Sequence, residues 1–254
     1  MDQDQTVQTI AGDLEALGLP QGSAVLVHSS LSALGYVEGG PETVIQGLLQ
    51  ALGPEGTLLI PALSYEIVTP KNPVFDVRST PSNIGIIPEY FRKRHGTRRS
   101  IHPTHSVCAV GPLTGAFLDQ HDKDSTPCGA HSPFRALRDL DGYILMLGCG
   151  LKPDTSMHAI EELLQPPHFF GTPFVYMLTL PDGKQKTKLY TPHNFSGWEQ
   201  RYDRVAQYMP KSGLCEGKVL DARTYLIHAP TLWEVVYEVM QKDPLAFVAR
   251  VNDL

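Results

Sequence analysis

Tyr143-Ile144-Leu145-Met146-Leu147-Gly148-Cys149-Gly150-Leu151-Lys152-Pro153-Asp154-Thr155-Ser156-Met157-His158-Ala159-Ile160-Glu161-Glu162-Leu163 is the stretch that decides how this chain is built. Its first five residues are an unbroken apolar run, which predicts a strand buried on both faces. Gly148 and Gly150 allow a tight turn, and Pro153 with Asp154 or Thr155 opens a helix. Ligands in open α/β sheets bind beyond the carboxyl ends of such strands, so chemistry is expected at this corner. His158 and Glu161 are three apart and share one helix face. A carboxylate so placed holds an imidazole in one tautomer and raises its basicity. The same spacing also describes an incidental pair on a solvated helix, and spacing alone does not separate the two.

Working outward, the grammar is strand and helix in alternation. A helical period over 6–17 ends at Gly18, and 24–28 reads as a short buried strand followed by a small polar loop. A helix over 41–52 and a strand over 57–61 follow; short connections of this kind predict parallel pairing. Residues 62–82 form a long, proline-rich segment, and 84–94 a helix with a basic end. A strand over 106–110 and a short helix over 133–140 lead into the central strand. Beyond residue 164, 174–180 and 186–190 flank Pro181-Asp182-Gly183-Lys184 as a β-hairpin. Residues 198–208 read as helix, 218–220 and 224–227 as strands, and 230–241 as a helix opened by proline. The expectation is one α/β domain over 1–254. Its mixed central sheet has a parallel N-terminal half and antiparallel additions in the C-terminal half, with helices on both faces.

Composition bounds the partners. At 254 residues the chain buries a sizeable core, and 21 Lys+Arg against 27 Asp+Glu argue against nucleic acid. The four cysteines lack CxxC spacing and read as reduced thiols of a cytoplasmic protein. The N-terminus carries no apolar signal-peptide core, and no apolar run reaches the ~20 residues of a membrane span.

Three further stretches offer chemistry. Ser29, Ser30, Leu31 and Ser32 follow the first strand, where hydroxyls and backbone N–H groups suit a phosphate or an amide; an ordinary turn reads the same way. Arg98, Arg99, His102, His105, Ser106 and Val107 lie within ten residues, and the arginine forks suit phosphates. His102 and His105 also fit a metal site, in which His158 and Glu161 would join them in a metal-dependent hydrolase. His28, ending a strand, reads as a structural histidine.

These pieces occur in an order that resembles the antibiotic N-acetyltransferase family. The motifs are H-S-S-L-S-A-L-G-Y-V-x-G-G at 28–40, T-P-S-N-x-G-x-I-P-E-x-F-R at 80–92, R-S-I-H-P-T-H-S-V at 99–107, H-S-P-F-x-x-L at 131–137 and L-G-C-G-L-x-P-x-T-S-M-H-A-I-E-E at 147–162. The resemblance implies acetyl-CoA as co-substrate, no metal, and acetyl transfer to a primary amine of a small-molecule acceptor, as in the aminoglycoside 3-N-acetyltransferases. It implies His158 as base with Glu161 as its orienting carboxylate, and His28 among the catalytic group. Ser29, Ser30, Leu31, Ser32, Arg99, Ser106 and Val107 would line the coenzyme channel. Asp76, Glu66, His105 and Glu162 are expected on the acceptor side, and a homodimer is compatible. The chain departs from aminoglycoside-active members at His105 and at Gly148-Cys149-Gly150, which border the acceptor pocket. A coenzyme-binding module without catalysis is the other alternative.

Overall fold

The fold is taken from a computed structural model that describes residues 1–166 and 169–253. The strands are β1 (Ala24–Ser29), β2 (Thr57–Pro61), β3 (Val74–Asp76), β4 (Arg98–Arg99), β5 (Val107–Val110), β6 (Tyr143–Leu147), β7 (Phe174–Thr179), β8 (Gln185–Tyr190), β9 (Trp198–Gln200), β10 (Leu214–Val219), β11 (Ala222–His228) and β12 (Val248–Arg250). The α-helices are α1 (Gln3–Leu17), α2 (Pro41–Leu52), α3 (Ile86–Lys93), α4 (Thr114–Leu118), α5 (Pro133–Asp139), α6 (Met157–Leu164) and α7 (Ala229–Lys242).

Seven strands make the main sheet in the order β10-β11-β6-β1-β2-β5-β4. β1 sits at its centre and runs parallel to β2 and to β6. β11 joins β6 antiparallel and β10 joins β11 antiparallel, as the C-terminal grammar implies. The apolar runs are continuous because alternate side chains enter different cores. Leu26, Leu59, Ile144 and Met146 pack on one face with α5, α6 and α7. Val25, Val27, Leu58, Ile60, Leu145 and Leu147 pack on the other with α1 and α2. Each fully buried side chain of this kind stabilises the fold by about 1.5–3 kcal/mol. Helices on both faces follow from that two-sidedness.

The parallel N-terminal half needs a correction. β5 runs antiparallel to β2, and β4 antiparallel to β5. The crossover through α3 delivers β4 in the direction of β2, and the chain then folds back so that β5 fills the place between them. The proline-rich segment is also partly ordered as strand. β3 pairs parallel with β7, and β7 antiparallel with β8, in a separate three-stranded sheet over its own small core of Val68, Phe75, Tyr176 and Tyr190. The helix expected over 198–208 is instead β9, which pairs with β12, followed by a 3-10 turn over Tyr202–Gln207. Pairing with a distant strand overrides the local helical preference there.

Candidate active site

The central strand ends where the sequence places the turn. Gly148 has φ 74°, and a Cβ there would stand 2.6 Å from the Ala33 Cβ, so the position takes glycine on both counts. The loop then returns over β1 before α6 begins. Asp154 shapes this return: its Oδ1 accepts from the Ser156 backbone N–H at 2.9 Å. Its carboxyl is buried, which pushes its pKa up to about 6. His158 and Glu161 therefore enter in the first turns of α6, just beyond the carboxyl ends of β1 and β6.

His158 faces a cavity of about 1200 Å³ bounded by the main sheet and the small one. Its Nδ1 lies 2.9 Å from Glu161 Oε2, with the Glu161 side chain 1% exposed. Tyr202, from the 3-10 turn, donates its hydroxyl to the same Oε2 at 2.7 Å and lies 2.8 Å from His158 Nδ1. The carboxylate thus fixes Nδ1 as the protonated nitrogen, and Nε2 carries the lone pair. Burial and the Glu161 charge hold the Tyr202 phenol well above its ordinary value, so it stays protonated and donates to the carboxylate, while its oxygen can accept from His158 Nδ1–H.

Two more imidazoles close on the same point. His105 and His193 have ring centroids 6.2 and 4.9 Å from that of His158, and 5.1 Å from each other. His105 Nδ1 pairs with Thr104 Oγ1 at 2.9 Å. His193 Nε2 pairs with Glu162 Oε1 at 2.8 Å. Burial, reinforced by the neighbouring histidines, holds both rings well below the ordinary histidine value. The His193–Glu162 contact is therefore a neutral N–H donating to a carboxyl, not an ion pair.

A second cavity of about 620 Å³ opens beside the first and shares Ser29 and Ile84 with it. Ser29, Ser30, Leu31 and Ser32 line it. Ser30 Oγ and Ser32 Oγ are 3.2 Å apart, and Ser29 Oγ is buried with no partner among the described residues. Two backbone donors at this corner are already committed to the sheet. Ser30 N–H goes to Leu147 O, and Gly148 N–H to Arg223 O.

Other expected residues stand elsewhere. Arg99 lines neither cavity. Its guanidinium donates to the carbonyls of Thr80 and Ala62 and to the hydroxyls of Ser64 and Ser106, over the Phe75 ring. Burial lowers its pKa to about 10, so it remains a cation tying the long segment to the sheet. Ser106 and Val107 are buried behind it. Asp76 holds Arg78, Glu66 is exposed beside the rim residue Tyr65, and Glu162 sits under His193, so none of the three lines the acceptor cavity. His28 does line it, but its Nε2 accepts from the Thr155 N–H at 3.4 Å. Burial, then the His158 charge, pushes it down to about 3, which makes it a neutral support for the turn and no base. His102 accepts the N–H of His105 and stacks on His121, outside the cavity, so the ligand set of the hydrolase reading is not assembled.

Sequence reasoning missed Tyr202, His193 and Phe195, which all line the cavity. The signal for His193 and Phe195 was the end of the 174–190 hairpin, whose returning strand points its exit at α6. Tyr202 had no local signal.

The aminoglycoside 3-N-acetyltransferase family model matches residues 26–241. A SPbeta prophage-derived aminoglycoside N(3')-acetyltransferase-like protein, YokD of Bacillus subtilis, is 32% identical over 87% of both chains. Among solved structures, AAC-IIIb in a binary complex with CoASH is 26% identical with TM-score 0.81, covering 95% of this chain and 97% of its own. A histidine-to-alanine mutant of aminoglycoside acetyltransferase AAC(3)-IVa in complex with a gentamicin is 29% identical with TM-score 0.79, covering 94% and 89%. The chain belongs to the aminoglycoside 3-N-acetyltransferase family, and its activity is the acetyl-CoA-dependent N-acetylation of an amine.

Proposed function

We propose that this chain acetylates one primary amine of an aminoglycoside-class acceptor by direct attack on acetyl-CoA, with His158 as general base. The observation that carries this reading is the free Nε2 of a carboxylate-held histidine facing a cavity large enough for two substrates. A volume of about 1200 Å³ exceeds the ~300–1,000 Å³ usual for one ligand.

An aliphatic ammonium must lose a proton before its nitrogen can attack a thioester. The ammonium gives its first proton to solvent, and His158 Nε2 takes the second from the nitrogen as it bonds to the thioester carbon. Glu161 Oε2 stabilises the imidazolium that forms, and Tyr202 holds that oxygen in place. The tetrahedral intermediate collapses with cleavage of the carbon–sulfur bond, and the coenzyme leaves as thiolate, which the histidine proton neutralises. No acyl-enzyme is needed. The coenzyme enters along Ser29–Ser32, and the uncommitted Ser29 hydroxyl serves its thioester end. The acceptor enters from the small-sheet side, where Tyr65, Phe174 and Phe195 offer ring faces and Asn194 and Gln200 offer amides. An acidic lining is not the basis of its recognition, since Asp154 is the one carboxylate among the described lining residues.

The test is a panel of aminoglycosides and simpler amines with acetyl-CoA, read by mass spectrometry as gain of one acetyl group. Turnover of at least one aminoglycoside that vanishes in His158→Ala supports the reading. Turnover confined to simple amines overturns the acceptor class.

A further inference from the structure

The three histidines around the catalytic nitrogen form more than a base and its surroundings. We infer that His105, His158 and His193 constitute a zinc-binding site, and that a zinc ion held there switches acetyl transfer off. The switching half rests on the assignment of His158 as base.

One nitrogen from each ring lies within 4.8 Å of the other two. Tetrahedral zinc with nitrogen ligands at about 2.0–2.1 Å sets those atoms about 3.3 Å apart, so closure takes small side-chain rotations. The outer hydrogen bonds are those that metal-bound histidines make. His158 Nδ1 is held by Glu161, His193 Nε2 by Glu162 and His105 Nδ1 by Thr104. Each ring is thereby left with one nitrogen without a partner among the described residues. The His193 Nδ1 is the telling one, because it is fully buried, on a side chain 4% exposed, and has no hydrogen bond. A buried acceptor left unmatched destabilises the fold, and a cation in the triangle would remove that cost. Two carboxylates, Glu161 and Glu162, stand behind the ligands and balance a divalent charge. The large cavity leaves the fourth position open to water.

The consequence for activity is direct. The lone pair on His158 Nε2 that receives the amine proton is the same one that would bind zinc, so an occupied site has no base.

The experiment uses the whole chain, freed of metal by chelator. Zinc sulfate is titrated by calorimetry, cobalt replaces zinc for spectroscopy, and transfer is followed as acetylated amine by mass spectrometry, since zinc also captures thiols. The expected result is one zinc per chain, with cobalt showing intense tetrahedral bands and no thiolate charge-transfer band. His105→Ala and His193→Ala each weaken zinc at least about tenfold, and Glu162→Gln by about 10–100-fold. Cys149→Ser leaves zinc binding unchanged. Transfer stops at one equivalent and returns with chelator. His193→Gln and a thermal melt of each variant guard against loss of fold. Absence of zinc binding, or retention by both histidine variants, overturns the site. Zinc bound by the three rings without loss of transfer overturns the switch. The base assignment fails separately, as metal-free His158→Ala with full turnover.

Discussion

Tyr202 donates its hydroxyl to Oε2 of Glu161, the same carboxylate oxygen that holds His158 Nδ1. The phenol therefore sets the position of the His158 imidazole through the carboxylate. Tyr202→Phe removes one charge-assisted hydrogen bond, a loss of about 1.5–3 kcal/mol. Turnover should fall by about tenfold or more, while KM for acetyl-CoA stays within about twofold. The acid limb of the pH–rate profile should also shift. An unchanged profile would leave Tyr202 with a packing role alone.

His158→Ala should lower kcat by roughly 10²–10⁴, the usual scale of general-base catalysis, and leave acetyl-CoA affinity nearly intact. Glu161→Gln should cost less, because the imidazole stays in place with a weaker partner. Steady-state kinetics with the best acceptor, on variants whose circular dichroism matches the parent, decide it.

Arg99→Ala should act on stability and leave the coenzyme site alone. Losing the guanidinium strips donors from Thr80 O, Ala62 O and two hydroxyls. Each buried acceptor left unmatched costs about 1–3 kcal/mol, so a marked fall in Tm is expected. Acetyl-CoA affinity of the folded fraction should hold. A weakened affinity with unchanged Tm would return Arg99 to the coenzyme channel.

Acid should destabilise the fold before it protonates most carboxylates. Burial holds His28 down at about 3, His121 at about 4, and His102, His105 and His193 well below the ordinary 6.5. Unfolding restores the ordinary value, so below 6.5 the unfolded chain binds more protons and stability falls with falling pH. The contribution is complete above the unfolded value and lost as pH drops toward the folded ones. Asp154 has the opposite sign: raised to about 6 from 3.8, its contribution is present below 3.8 and lost as pH rises through about 6. Glu162, also raised by burial, shares the sign of Asp154, and two groups against five leave the histidines in control. Urea unfolding between about pH 5 and 7.5 should show lower stability at the acid end. A flat profile there would mean that the rings protonate in place.

Gly148→Ala should destabilise by about 1–3 kcal/mol, since it adds both a positive φ for alanine and a collision with Ala33. Chemical denaturation measures this. Activity should fall as well, because this turn leads into α6.

The pairing of His158 with Glu161 was legible because both sit on one helix after one strand, within reach of a spacing rule. The serine loop was legible for the same reason, as it directly follows β1. What stayed hidden depends on pairing across distance. Tyr202 reaches Glu161 only because β9 docks on β12, and His193 reaches His158 only because the β7–β8 hairpin lies against β3. Arg99 misled because a guanidinium fork meets carbonyl oxygens as readily as phosphates, and the long segment around Ala62 and Thr80 supplied the carbonyls. The direction of β5 was illegible because a two-residue strand, β4, intervenes and carries almost no pattern.

The three-stranded sheet of β3, β7 and β8 separates two kinds of change in this enzyme. The His158 imidazole, the proposed base, is anchored beside the seven-stranded sheet. Much of the opposite wall of the cavity, by contrast, hangs from the small sheet and the segments that enter and leave it. Substitutions in that second unit can reshape what the enzyme accepts while the proton-transfer apparatus keeps its geometry. A lineage under pressure from new amine-bearing molecules would find its cheapest adaptations there, in a module whose core is only a handful of aromatic and aliphatic side chains.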